Sequence, residues 1–221
     1  MNMVQITLMT VAWAALATAL VLPIGLLVAW GLSRGRFRGR LLLDTLVSLP
    51  LVMPPVATGL ILLILLAPRG VIGGMLATLG IDVVFTWKAV VIAMAVMGLP
   101  LFVRTSRAGF EQVDRRYEQV AATLGASPFR VFVTVTLPLA LPSVAAAAVL
   151  CFARAIGEFG ATMMIAGSIP GSTRTLSVAI YSFAETGRDA DAARLVLVSA
   201  AIAFAALSLS NFISSRSGVR A

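Results

Sequence analysis

Residues 117–142 read YEQVAATLGASPFRVFVTVTLPLALP, and this stretch is unlike the apolar chain around it. Glu118, Ala121, Ala122 and Gly125 recur at helical spacings, which predicts a short helix whose small-residue face lets another backbone approach closely. Gly125 suits the end of that helix, Ser127 is a good N-cap, and Pro128 takes the first position of a second helix running to Leu137 and Pro138. The stretch is therefore a helix, a tight turn and a second helix. Spacing alone leaves two uses open: a solvated connection between larger elements, or a docking surface for another protein.

Outward from this stretch the chain is membrane-like. Of its 221 residues 60% are hydrophobic and only 12% charged, outside the soluble globular range. A helical crossing needs about 20 apolar residues. Four runs meet that length, residues 7–31, 41–67, 139–167 and 195–213. A fifth, 83–103, has only 15 uncharged residues between Lys88 and Arg104, but Trp87 at an interface and a snorkelling Lys88 make it a crossing. The expected fold is an all-α membrane protein of about five transmembrane helices, forming one unit over residues 7–213. The first run has no small-residue cleavage site and reads as a retained helix.

Basic residues set the expected orientation. Arg34, Arg36, Arg38 and Arg40 follow the first run, Arg104, Arg107, Arg115, Arg116 and Arg130 the third, and Arg216 and Arg220 the last. With five crossings these clusters share one side, which the positive-inside rule assigns to the cytoplasm, leaving the N-terminus external and the C-terminus cytoplasmic. The net charge of +8 then reflects topology and anionic lipid headgroups rather than nucleic acid.

Several chemistries are excluded or weakened. There is no histidine and a single cysteine, Cys151, in an apolar run, so no metal site or disulfide is expected. No paired carboxylates or activated nucleophile mark the spans, which argues against a membrane-embedded enzyme. The only lysine is Lys88, in FTWKAV, so no Gly-Lys-Ser/Thr phosphate-binding loop exists and any ATP chemistry must come from another protein.

Within the spans, Pro50, Pro54 and Pro55 predict a kinked second crossing, as a structural bend or as part of a pathway. Gly157 and Gly160 read as sites of close helix contact. Arg154 and Glu158, four residues apart on one face of the fourth crossing, form either a structural pair or a pathway or gate element, since charge in the membrane is tolerated only when paired or wet. Residues 168–175, SIPGSTRT, fall on the external side. There Arg174 and Thr175 are candidate contacts for an oxyanion or a delivery protein, or part of an ordinary polar loop. Asp44 is expected to pair with nearby arginines and is given no function.

The order of Glu118, Ala121, Gly125, Leu137 and Pro138 resembles the "EAA" loop of bacterial ABC importer permeases: Glu-Ala-Ala, three residues, Gly, nine residues, Ile-x-Leu-Pro. Gln119, Val120 and Ala121 fall in the Glu-Ala-Ala slots with Glu118 one place early, while Val135, Leu137 and Pro138 fit the end. SLPLVMPPVATG (residues 48–59) and ARAIGEFGATMMIAGSIPGSTRTLSVAIY (residues 153–181) are similar to permeases of molybdate importers, with sulfate and thiosulfate permeases as near relatives.

The resemblance implies a type I ABC importer permease fold in the bacterial inner membrane. It implies a cytoplasmic coupling helix inserted into a separate ATPase, which binds ATP and magnesium while this chain binds no cofactor. It further implies a homodimer in membrane lipid, served by an external oxyanion-binding protein. Sulfate, thiosulfate or tungstate are the alternative cargoes and a passive channel the alternative mode.

Overall fold

The computed structural model describes residues 2–35 and 37–216, with side chains through Ile213. Arg36, Arg220 and the side chain of Arg216 lie outside the described residues. Within them the chain is entirely helical outside its turns.

Helix α1 (Met3–Arg34) is one long apolar helix ending at Gly35. The second crossing breaks into α2 (Arg40–Val52) and α3 (Pro55–Leu66), bent by 114°. The kink expected from the prolines is thus a full break, for a local reason. Met53 precedes Pro54 and Pro54 precedes Pro55, and both are extended (ψ 146° and 131°), because a residue before proline is pushed out of the helical region. Pro50 stays inside α2.

After the short α4 (Val71–Thr78) comes α5 (Trp87–Gln112). The third crossing therefore starts four residues later than expected and runs nine further. Thr86 caps it by accepting from the Lys88 N–H at 3.2 Å, and Arg104 and Arg107 lie within it. Asp44 pairs with Arg107 at 2.9 Å, which also holds Glu111 at 2.8 Å.

Next come α6 (Arg115–Thr123), α7 (Pro128–Val131), a π-helical turn (Phe132–Thr136) and α8 (Leu137–Ile156). The helix begun at Pro128 does not end near Pro138 but continues as one 29-residue apolar span to Ile156. The fourth crossing stops there rather than at Gly167, and the chain resumes as α9 (Gly160–Ala166). Then follow α10 (Leu176–Glu185) and α11 (Asp189–Arg216). Among the described residues four continuous helices are long and apolar enough to cross a membrane, and the bent α2–α3 pair makes five where it counts as one span.

Helix α5 is the central element, touching α1, α2, α8 and α9. It runs parallel to α1, since a Cβ on Gly25 would strike the Phe102 ring and Arg34 binds the Val113 carbonyl. It runs antiparallel to α8, with Gly98 against Cys151 and Gly109 against Ser143. Leu195, early in α11, clusters with Ile6, Leu176 and Phe183 near the start of α1. The body therefore has a Met3 end and an Arg34 end, and the stretch at 113–138 lies at the latter.

Candidate functional site

At the Arg34 end, α6 is capped by Asp114, whose carboxylate accepts from the Arg116 N–H at 2.9 Å. It closes in a Schellman motif, with the Ala126 N–H on the Ala121 carbonyl and the Gly125 N–H on that of Ala122. That motif needs a left-handed residue, and Gly125 supplies it at φ +83°. Ser127 then caps α7 through the Arg130 N–H, and Pro128 opens the helix.

Large apolar residues share the exposed surface of α6 with small ones, Ala122 and Gly125 being exposed as well. Tyr117 (60%), Val120 (60%) and Leu124 (83%) point outward, joined by Phe129 (70%) beyond the turn. Tyr117, Val120, Ala121 and Leu124 line a groove of about 810 Å³ with Val135 and Pro138. Glu118 turns instead toward its own chain, where Glu118, Gln119, Ala122 and Pro128 share a cavity of about 340 Å³ with Trp30 and Arg34. Leu137 is half-buried and Pro138 exposed in the first turn of α8.

Three donors converge on one oxygen of Glu118. Arg34 Nε and Nη2 each approach Oε1 at 3.1 Å, and the Thr136 hydroxyl donates to it at 2.7 Å. Arg34 Nη2 also donates to the Val113 carbonyl at 2.9 Å. Beside this cluster the Phe132 ring packs on Trp30 (4.8 Å) and Phe110 (5.9 Å).

The two broken helices meet in the body of the protein. A Cβ on Gly160 would lie 2.9 Å from Pro55 Cβ, and one on Gly59 2.7 Å from Ala161 Cα, so α3 and α9 touch backbone to backbone. Gly160 thus makes a close contact. Gly157 does not: it ends α8, and a Cβ there would meet nothing nearer than its own helix carbonyls at 3.8 Å.

Arg154 Nη1 lies 2.8 Å from Glu158 Oε2, although the helix stops between them. The other Glu158 oxygen accepts the Ala161 N–H at 2.8 Å, at the start of α9. Glu158 is buried and Arg154 half-buried, whereas Pro54 and Pro55 are exposed. The buried hydroxyls of Thr58 and Thr162, on the same two helices α3 and α9, have no hydrogen-bond partner among the described residues.

At the Met3 end, residues 168–175 satisfy themselves. The Ile169 carbonyl accepts from the N–H groups of Ser172, Thr173 and Arg174. Arg174 donates to the Ser168 hydroxyl (3.0 Å) and carbonyl (3.3 Å). Thr175 is not at the surface: it is fully buried and caps α10 through the Val178 N–H, while the Leu176 N–H donates to Thr10. What this loop exposes is Ile169, Pro170 and Gly171. Nearby, Phe159 stacks on Tyr181 at 5.0 Å. The Tyr181 hydroxyl donates to Glu185, and that hydrogen bond, then the carboxylate charge, raises its pKa.

Sequence reasoning missed Arg34 and Thr136, which are far from Glu118 in spacing, and the Tyr117, Val120, Leu124 face, whose i, i+3, i+7 pattern was available.

Residues 21–217 match the family model described as "Binding-protein-dependent transport system inner membrane component". The molybdenum transport system permease protein ModB of Escherichia coli K12 is 45% identical over 98% of this chain and 96% of its own length. That of Haemophilus influenzae is 45% identical over 88% and 86%. The E. coli sulfate transport permease CysT is 42% identical over 71% of this chain and 57% of its own. In fold, the chain is similar to a chain of a bacterial alginate ABC importer (TM-score 0.73, 19% identity, 98% and 80% covered). It is also similar to one of the MetNI methionine ABC transporter (0.71, 18%, 96% and 99%). Taken with its long apolar helices and the exposed helical hairpin at the Arg34 end, these similarities show that the chain belongs to the inner membrane permease family of binding-protein-dependent transport systems.

Proposed function

We propose that this chain is the membrane permease of an ATP-driven molybdate importer. Two copies form the oxyanion pathway, each docks a separate ATPase through α6 and the turn to α7, and an external binding protein delivers the anion. The Arg34 end lies in the cytoplasm of a bacterium and the Met3 end faces outward. The observation that carries the cargo assignment is the 45% identity, over 98% of the chain, to a molybdenum permease. The apolar residues at 117, 120, 124 and 129 support docking, since such side chains are unfavourable in water unless a partner covers them. The chain's lack of a phosphate-binding loop supports an ATPase in trans.

Around the pathway, Arg154, Glu158 and the break at Pro54 and Pro55 form the candidate gate, where two interrupted helices touch. Unwound backbone at membrane depth is tolerated where it is buried in protein or lines a wet cavity. Arg174 is the remaining candidate for external contact, and Thr175 supports it only by capping α10.

A strain lacking this protein should need added molybdate for molybdoenzyme activity while growing normally on limiting sulfate. Sulfur starvation with intact molybdoenzyme activity would move the assignment to sulfate, which the similarity to CysT keeps as the second reading.

A further inference from the structure

We propose that Arg34, Glu118 and Thr136 form a mechanical link that carries movement of α6 into α1 and α8, separate from the surface that docks the ATPase. The inference rests on the coupling-loop reading above and concerns what lies behind that surface.

Helix α6 buries none of its residues fully, so apolar packing ties it only weakly to the body. Among the described residues, the side-chain hydrogen bonds and ion pair that join α6 to other elements are those on Glu118. There Arg34, in the last turn of α1, and Thr136, the last residue of the π-helical turn, meet on a single carboxylate oxygen. Arg34 simultaneously holds the Val113 carbonyl between α5 and α6. Three elements, α1, α6 and the π-helical turn, and the connection between α5 and α6 are therefore joined through one oxygen and one guanidinium.

The two side chains are only 14% and 18% exposed, so the pair is less screened than a surface pair and both contacts are charge-assisted. The attachment on α8 is also a particular one. A π-helical turn holds an extra residue per turn and marks a place where a helix changes register. Here that turn is seated by Phe132 on Trp30 and Phe110, and Thr136 ties its far end to Glu118. A displacement of α6 would reach α1 through Arg34 and the start of α8 through Thr136. Neither Arg34 nor Thr136 lies on the exposed docking face.

The test uses the permease assembled with its ATPase in proteoliposomes, comparing wild type, Arg34→Gln and Thr136→Val. Thr136→Val keeps the shape and the Arg34–Glu118 pair, so it serves where Arg34→Gln assembles poorly. Each variant should still bind the ATPase and hydrolyse ATP. Molybdate taken up per ATP should fall about tenfold, the scale expected for losing one hydrogen bond to a charged group. A merely structural cluster would lower the amount of assembled complex and leave uptake per ATP unchanged, and that result overturns the link. If the wild-type permease fails to bind an ATPase at all, the coupling-loop reading falls first and the link with it.

Discussion

Glu158 does two jobs with two oxygens. Oε2 neutralises Arg154, and Oε1 takes the Ala161 N–H at the start of α9, so one side chain bridges the break after Ile156. Spacing in the sequence suggested the pair but not the break, because an i, i+4 separation is kept when the helix stops between the two residues. The consequence is asymmetric. Arg154→Met strands a carboxylate that is 1% exposed and should cost about 3 kcal/mol, the lower end for a buried pair given that Arg154 is partly exposed. Adding Glu158→Gln should recover much of this loss, since the amide oxygen still accepts from Ala161 without carrying charge. Thermal unfolding of the purified variants in detergent measures it. Losses that simply add would show that the pair contributes nothing beyond its separate members.

Among the elements, the α6–α7 turn was the most legible in the sequence, because its chemistry is local. Gly125, Ser127 and Pro128 each fix a backbone conformation by residue type alone. The direction in which α6 faces was not legible. It depends on Arg34, 84 residues away from Glu118, and on a π-helical turn with no composition signature. The breaks at Met53 and Ile156 were half legible: the proline pair announces the first, while the second depends on a buried acid and on α3 packing against α9.

At Gly125 the structure separates two reasons for glycine. A Cβ there meets nothing within 4 Å, so within the chain only φ +83° demands it. Gly125→Asn, which tolerates a left-handed backbone, should therefore insert and fold normally, whereas Gly125→Val should strain the turn by about 1–3 kcal/mol. If α6 enters a close-fitting cleft, ATPase binding by the Asn variant should also drop. Undiminished binding by Gly125→Asn, measured by co-purification, would show that the partner leaves room at this turn.

At the scale of the whole molecule the two ends differ in charge. Arg34, Arg38, Arg40, Arg107, Arg115, Arg116 and Arg130 gather at or beside the Arg34 end, because α1 and α5 run parallel and α8 returns from there. The Met3 end mixes both signs more evenly, with Asp82 and Arg188 in its connections and Lys88, Asp189 and Asp191 in the first turns of α5 and α11, whereas the acids at the Arg34 end, Asp44, Glu111, Asp114 and Glu118, are outnumbered by its arginines. By the positive-inside rule the first end is expected in the cytoplasm. Single cysteines placed at Ser127 and at Ile169, both exposed and at opposite ends, test this in a chain whose buried Cys151 is replaced by alanine. In right-side-out vesicles made without the ATPase, an impermeant maleimide should label Ile169→Cys and spare Ser127→Cys, and inside-out vesicles should reverse the pattern. Labelling of Ser127→Cys from the outside would invert the molecule and, with it, place α6 where no ATPase could reach.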